Sequence, residues 1–159
     1  MRKLIAGLAA AASIAASLPA AAQAVHGDWE SFRKDGRCWA ATAPVSSEGT
    51  IPERSGPYLS IQNYPAEGVR GSVVIVAGFE DAGLGDAYVE VDGVKFEVLP
   101  YGNSAFTASG KPEAALIAAM RRGTELKVTW TTKSGQAATD RYSLAGFTAS
   151  KNDIDSGCR

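Results

Sequence analysis

Few residues in this chain have the types and spacing that chemistry needs. There are two cysteines, Cys38 and Cys158, and one histidine, His26. A zinc site wants about four converging ligands, mostly Cys and His, and no C-x-x-C pair supplies them. A nucleophilic serine would need His26 as its base, in an N-terminal segment expected to be mobile. No G-x-S-x-G elbow is present. A Cys–His nucleophile competes with a simpler fate for the cysteines, a disulfide. The acids that could pair for glycosidase-like hydrolysis are Glu80, Asp81, Asp86, Glu90, Glu97 and Asp140. Most stand at turns or on the polar side of alternating stretches, where a solvated carboxylate is the ordinary outcome. Asp140 differs, because it shares a strand face with Tyr142 and Leu144. An inward carboxylate without partners is costly, so Asp140 and Tyr142 are expected to be structural polar residues.

The remaining candidates concern binding. Trp29, Trp39 and Trp130 could form a platform for sugar or peptide; packing in the core and at strand edges is the competing outcome. Arg121 and Arg122 could hold an anion, although their place in the last turn of a helix already complements its dipole. The possible binding residues are therefore Trp39, Trp130, Arg121 and Arg122. Gly83-Leu84-Gly85 lacks the helix and lysine of a phosphate loop. The acids around it lack the ligand spacing of a calcium loop. No catalytic residue, cofactor or metal is expected.

The elements that must position these residues lie between two informative ends. Residues 1–24 read as a Sec-type secretory signal: Arg2 and Lys3, an alanine-rich apolar stretch from Leu4 to Leu18, then Ala22-Gln23-Ala24. Cleavage is expected after Ala24, and an uncleaved anchor helix is the alternative. No second apolar run reaches the roughly 18 residues of a membrane span. Residues 25–159 are expected to form one β-sandwich domain with 14 bases against 17 acids, a net charge near −3. That balance argues against nucleic acid, which needs a basic face. In an exported chain two cysteines are expected to pair, with two free thiols as the alternative.

Period-two patterning dominates. Strands are expected at Trp29–Phe32, Cys38–Thr42, Tyr58–Gln62 and Val73–Phe79, the last apolar on both faces. Lys34-Asp35-Gly36 reads as a turn. Residues 43–57, rich in Pro and Gly, read as a loop. Tyr88–Leu99 is expected to be a hairpin turning at Asp92-Gly93, and Leu126–Leu144 a second one turning at Lys133–Gln136. One helix is expected over about 112–122: Pro112 at its first position, Leu116, Ile117 and Met120 on one side, and Gly123 as a left-handed cap. The fold class is all-β, an antiparallel sandwich with one short helix and one disulfide.

The segments Cys38-Trp39-Ala40-Ala41-Thr42-Ala43-Pro44, Ala119-Met120-Arg121-Arg122-Gly123, Asp140-Arg141-Tyr142-Ser143-Leu144-Ala145-Gly146-Phe147-Thr148-Ala149 and the closing Cys158 carry a resemblance. In their order, behind a signal peptide, they resemble the invasion-associated locus B family of exported bacterial proteins, over about residues 29–158. Many members carry a further N-terminal cysteine pair that this chain lacks. The resemblance implies a periplasmic or envelope-associated β-protein, and the family name implies a part in host-cell entry. It brings no catalytic residues. The expected function is a non-enzymatic binding or accessory protein of the envelope, in the periplasm or at the outer surface, with a protein or envelope component as partner. Such a protein should expose an apolar or aromatic patch, including Trp39 or residues 43–57. A periplasmic hydrolase using paired carboxylates is the alternative.

Overall fold

The computed structural model describes residues 23–51, 54–79 and 84–159. Most of the expected signal segment, residues 1–22, lies outside them, as do Glu80 and Asp81.

Two antiparallel sheets face one another. The larger has strands β1 (Ala24–His26), β2 (Trp29–Lys34), β3 (Arg37–Thr42), β5 (Tyr58–Tyr64), β6 (Val69–Val76), β9 (Leu99–Tyr101) and β10 (Ser104–Phe106), in the order β1-β2-β3-β5-β6-β10-β9. The smaller has β4 (Ser46–Gly49), β7 (Leu84–Val91), β8 (Val94–Glu97), β11 (Glu125–Thr132) and β12 (Ala137–Ser143), in the order β4-β12-β11-β7-β8. Because side chains alternate across a strand, Ala40, Leu59, Ile61, Val73 and Ile75 point inward from one sheet. Val89, Leu126, Val128 and Trp130 meet them from the other, in one buried cluster.

Local chemistry explains the tight turns. Asp35-Gly36 and Asp92-Gly93 both adopt positive φ at both positions (50° and 76°; 47° and 85°). This is the twist that suits a two-residue hairpin, and Asp followed by Gly tolerates it best. Asp92 is also held by its surroundings. Its carboxylate accepts bonds from the Thr124 hydroxyl and from the backbone N–H groups of Thr124 and Glu125.

Helix α1 (Lys111–Arg122) buries Leu116 and Met120. It is tied to the larger sheet through Glu113, which accepts from the Val73 backbone N–H and the Thr107 hydroxyl. Gly123 does not form the expected left-handed cap: its φ of −83° and ψ of 170° are extended. The chain passes straight into β11, and a Cβ at Gly123 would stand 2.6 Å from Val91 Cγ1. Glycine is needed there for close approach, not for handedness.

A second helix corrects the expectation of one. Helix α2 (Phe147–Gly157) buries Phe147, Ser150, Lys151 and Ile154, a helical i, i+3, i+4, i+7 stripe with two polar members. Its residues are mostly poor helix formers, so packing holds it rather than propensity. Phe147 meets Trp29 edge-on at 5.0 Å. Buried Asn63 donates to Ile154 O and to Asp155, and accepts from the Gly71 N–H. The helix begins at Gly146, where a Cβ would lie 1.7 Å from His26 O.

Residues 43–57 are also not loop throughout, because β4 pairs with β12 from Arg141↔Ser46 to Ala138↔Gly49. His26 lies in β1, and its Nε2 is 2.5 Å from Asp153 of α2. Cys38 and Cys158 form the disulfide, with Cα atoms 5.8 Å apart and a sequence separation of 120. It joins β3 to the end of α2. In the chain-entropy model a loop of that length is worth about 5 kcal/mol.

Candidate functional site

The sequence candidates separate by face. Trp130, expected as a possible ligand platform, is 0 % exposed. It lies on the inward side of β11, with its ring edge-on to Phe79 at 6.3 Å. Its indole N–H donates to Asp140 Oδ2 at 2.8 Å. Trp29 is equally buried, donating to Ser143 O at 3.0 Å. Neither ring is open to a ligand, because both sit in the inward phase of their strands.

Asp140 is the buried centre of a polar cluster whose rim, at Ser47, is exposed. Fully buried, it receives Arg54 in a two-pronged pair, Nη1 to Oδ1 at 2.7 Å and Nη2 to Oδ2 at 2.5 Å. Ser47 Oγ donates to Oδ1 at 2.7 Å, and Trp130 completes the set. Arg54 Nε also donates to Ala77 O at 2.8 Å. The guanidinium fork matches a carboxylate geometrically, and the two charges offset one another's desolvation. Tyr142 stands beside the cluster, buried, and its hydroxyl has no hydrogen-bond partner among the described residues. Burial, then the Asp140 carboxylate, push its pKa above the usual tyrosine value. Asp140 and Tyr142 are both buried, on the inward side of β12. Arg54 was not anticipated, since it comes from a loop 86 residues away in sequence.

Of the acids weighed for hydrolysis, the described ones divide between two faces, and Asp86 and Glu97 line one open hollow on the outer side of the smaller sheet. Asp86 and Glu90 share the outward side of β7, where Glu90 pairs with Lys127 and Asp86 accepts from the Ala87 N–H. Glu97 is exposed on β8, opposite Tyr88. Asp140 points the other way. Among the described residues no group of three or more His, Cys, Asp or Glu could hold a metal. Arg121 is occupied: it donates to Asn152 and lies 3.6 Å from Asp155, binding α1 to α2. Arg122 is exposed beside a shallow groove that also holds Ala115, Ala118 and Phe96.

Trp39 is the candidate that faces outward. Cys38 and Ala40 point into the core, so period two turns Trp39 to the solvent side of the larger sheet. There its ring stacks on that of Phe32, its cross-strand partner, with centroids 5.3 Å apart and planes 9° apart. On β5, Leu59 and Ile61 are inside while Tyr58, Ser60, Gln62 and Tyr64 line the outer side. Gln62 lies directly opposite Trp39, and Ser60 opposite Ala41. Small side chains at Ala41 and Ser60 leave a trough between Trp39 and Tyr58, with a volume of about 830 Å³. Tyr58 is 41 % exposed at one end. At the other end the Arg37 guanidinium lies 5.0 Å over the Tyr64 ring and pairs with Glu67. Burial raises the Tyr64 pKa, and nearby Arg37 opposes the shift. A neighbouring hollow extends past Tyr58 to Ala43 and Val45.

Phe32, Tyr58, Gln62 and Tyr64 escaped the sequence reading as site residues. The signal was nevertheless present. Once Leu59 and Ile61 share the core face, the alternate positions of the same strand must share the other.

Fold and site together define a disulfide-stapled antiparallel β-sandwich with an open aromatic trough on the larger sheet. The family description "Invasion associated locus B (IalB) protein" matches residues 33–155, and the chain belongs to that family. No curated protein and no solved structure matches it.

Proposed function

We propose that this protein is an exported, non-enzymatic binding module of the bacterial envelope that works through the outer face of β2, β3 and β5. The observation that carries this reading is the grouping of Phe32, Trp39, Tyr58 and Tyr64 on one solvent-facing trough. Large apolar side chains that could have been buried are held outside by strand register, and contiguous patches of that kind mark interaction sites. A disulfide fits an oxidising compartment outside the cytoplasm. No helix among the described residues is long and apolar enough to cross a membrane. The proposed location is the periplasm or the outer surface, with a part in host-cell contact as the family name suggests.

A photo-crosslinking residue placed at Tyr58 in living cells tests the face. It should capture an envelope component, whereas the same residue at Tyr88, on the outer side of the smaller sheet, should not. Equal capture at both positions, or none at either, would remove the assignment. Protease treatment of intact cells, beside periplasmic and medium fractions, decides the location. Loss from intact cells or presence in the medium supports surface exposure; full protection confines the protein to the periplasm.

A further inference from the structure

We infer that the trough on the larger sheet is a glycan-binding site for an uncharged oligosaccharide; this inference rests on the binding-face reading above. Three features converge on that ligand class. The first is ring chemistry. Trp39 and Tyr58 bracket a floor of small side chains, so the apolar face of a sugar ring can lie against aromatic carbon while its hydroxyls reach the walls.

The second is the set of polar groups held in place but not used internally. Ser60, only 1 % exposed, accepts from Gln62 Nε2 at 3.1 Å and reaches Val74 O at 3.4 Å. That bond fixes the Gln62 amide and leaves its carbonyl oxygen as an acceptor opposite Trp39. The Trp39 indole N–H and the Tyr58 and Tyr64 hydroxyls make no hydrogen bond to another described residue, unlike the indole N–H groups of Trp29 and Trp130. The trough thus offers donors and an acceptor together, which suits hydroxyls, since each hydroxyl both donates and accepts.

The third is charge. Lys34 and Arg37 at the trough's end are matched by Asp35 and Glu67, and Arg37 is committed to Glu67 and the Tyr64 ring. No net charge is left to select an anion. From Tyr58 to Tyr64 the strand runs about 20 Å at roughly 3.3 Å per residue, room for several linked rings. A proline-rich segment also docks on aromatic grooves. Its prolines have no N–H to give the Gln62 carbonyl, so the glycan is the better fit.

Titration of the exported protein with linear neutral hexasaccharides of glucose, mannose and N-acetylglucosamine tests the inference, read by tryptophan fluorescence and calorimetry. At least one should bind saturably. Trp39→Ala and Gln62→Ala should each weaken binding about tenfold, the scale of one aromatic or hydrogen-bonding contact. Tyr101→Ala, at the far edge of the same sheet, should stay within twofold. Trp39→Tyr keeps a ring and should lose less than Trp39→Ala, which guards against a folding artefact. No saturable binding to any of the three sugars overturns the inference, as does binding that ignores Trp39 and Gln62. If a decaproline peptide binds instead, with crosslinking at Tyr58 retained, the glycan assignment fails and the binding face survives. If crosslinking at Tyr58 fails as well, both readings fall.

Discussion

The two tryptophans of the central strands, Trp130 on β11 and Trp39 on β3, show how one residue type is put to opposite uses. Trp130 is buried, and its N–H is bonded to a buried carboxylate. Trp39 lies at the surface, stacked on a neighbour, with its N–H directed at no described residue. Beneath the first, both oxygens of the buried Asp140 carboxylate are taken up by protein donors. The trough around the second is open, and its polar groups are held in position without being consumed. Stability should therefore reside in the Asp140 region and recognition in the trough.

The comparison can be broken most sharply at Asp140. Asp140→Ala leaves Arg54 facing an apolar core without its partner, and should destabilise the protein by about 3–5 kcal/mol in urea unfolding. Arg54→Met should cost a similar amount, because it strands the carboxylate. The double variant Asp140→Leu with Arg54→Met should recover most of the loss, since both buried charges are then gone. If the two single losses simply add, the pair is not the coupled unit described here.

Next in size is the contrast between the tryptophans themselves. Trp130→Ala should cost about 3–5 kcal/mol, the usual penalty for emptying an aromatic site in a packed core. Trp39→Ala should cost about 1 kcal/mol, chiefly the stacking on Phe32, while weakening the proposed glycan binding about tenfold. Comparable stability losses in the two variants would mean that the outer face is structural after all.

The smallest effect is on acid stability. Hydrogen bonds from the Thr124 side chain, then from the Thr124 and Glu125 backbone, lower the Asp92 pKa below its ordinary 3.8. Burial pushes Asp155 up, but hydrogen bonds from Lys151 and Asn63 outweigh it, and its pKa also falls below 3.8. A carboxyl whose pKa is lower in the folded state contributes stability above its unfolded value and loses it as pH falls through the folded one. The urea midpoint should therefore hold from neutral pH to about 4 and drop below that. Asp155→Asn should lessen the drop by removing its own part, and should leave binding in the trough untouched. A drop of unchanged size in that variant would remove Asp155 from the account.

How much was legible beforehand follows the range of the interactions. The Asp92-Gly93 hairpin and helix α1 are written locally, in turn chemistry and in apolar spacing. Their positions were readable to within a residue or two, although the reason for Gly123 was not. Helix α2 was not readable, because its stripe includes Ser150 and Lys151 and its residues resist helix formation. It exists because Trp29, Asn63 and the disulfide supply a surface for it. Strand β4 was hidden for a similar reason: Ser46–Gly49 has no apolar phase of its own and is ordered by pairing with β12.

By itself the sequence determined the alternation that makes an antiparallel sandwich, the inward phase of Asp140 and Tyr142 and membership of the IalB family. Each follows from residue type or period. The tertiary structure alone decided that Arg54 closes on Asp140, that Trp130 is enclosed in the core while Trp39 stays on an outer face, and that Tyr58, Gln62 and Tyr64 gather beside Trp39. Those outcomes depend on strand order and register, which bring together residues far apart in sequence, 86 positions for Arg54 and Asp140. A period-two pattern states that a side chain has an inside and an outside; only the assembled sheets establish which neighbours it meets there.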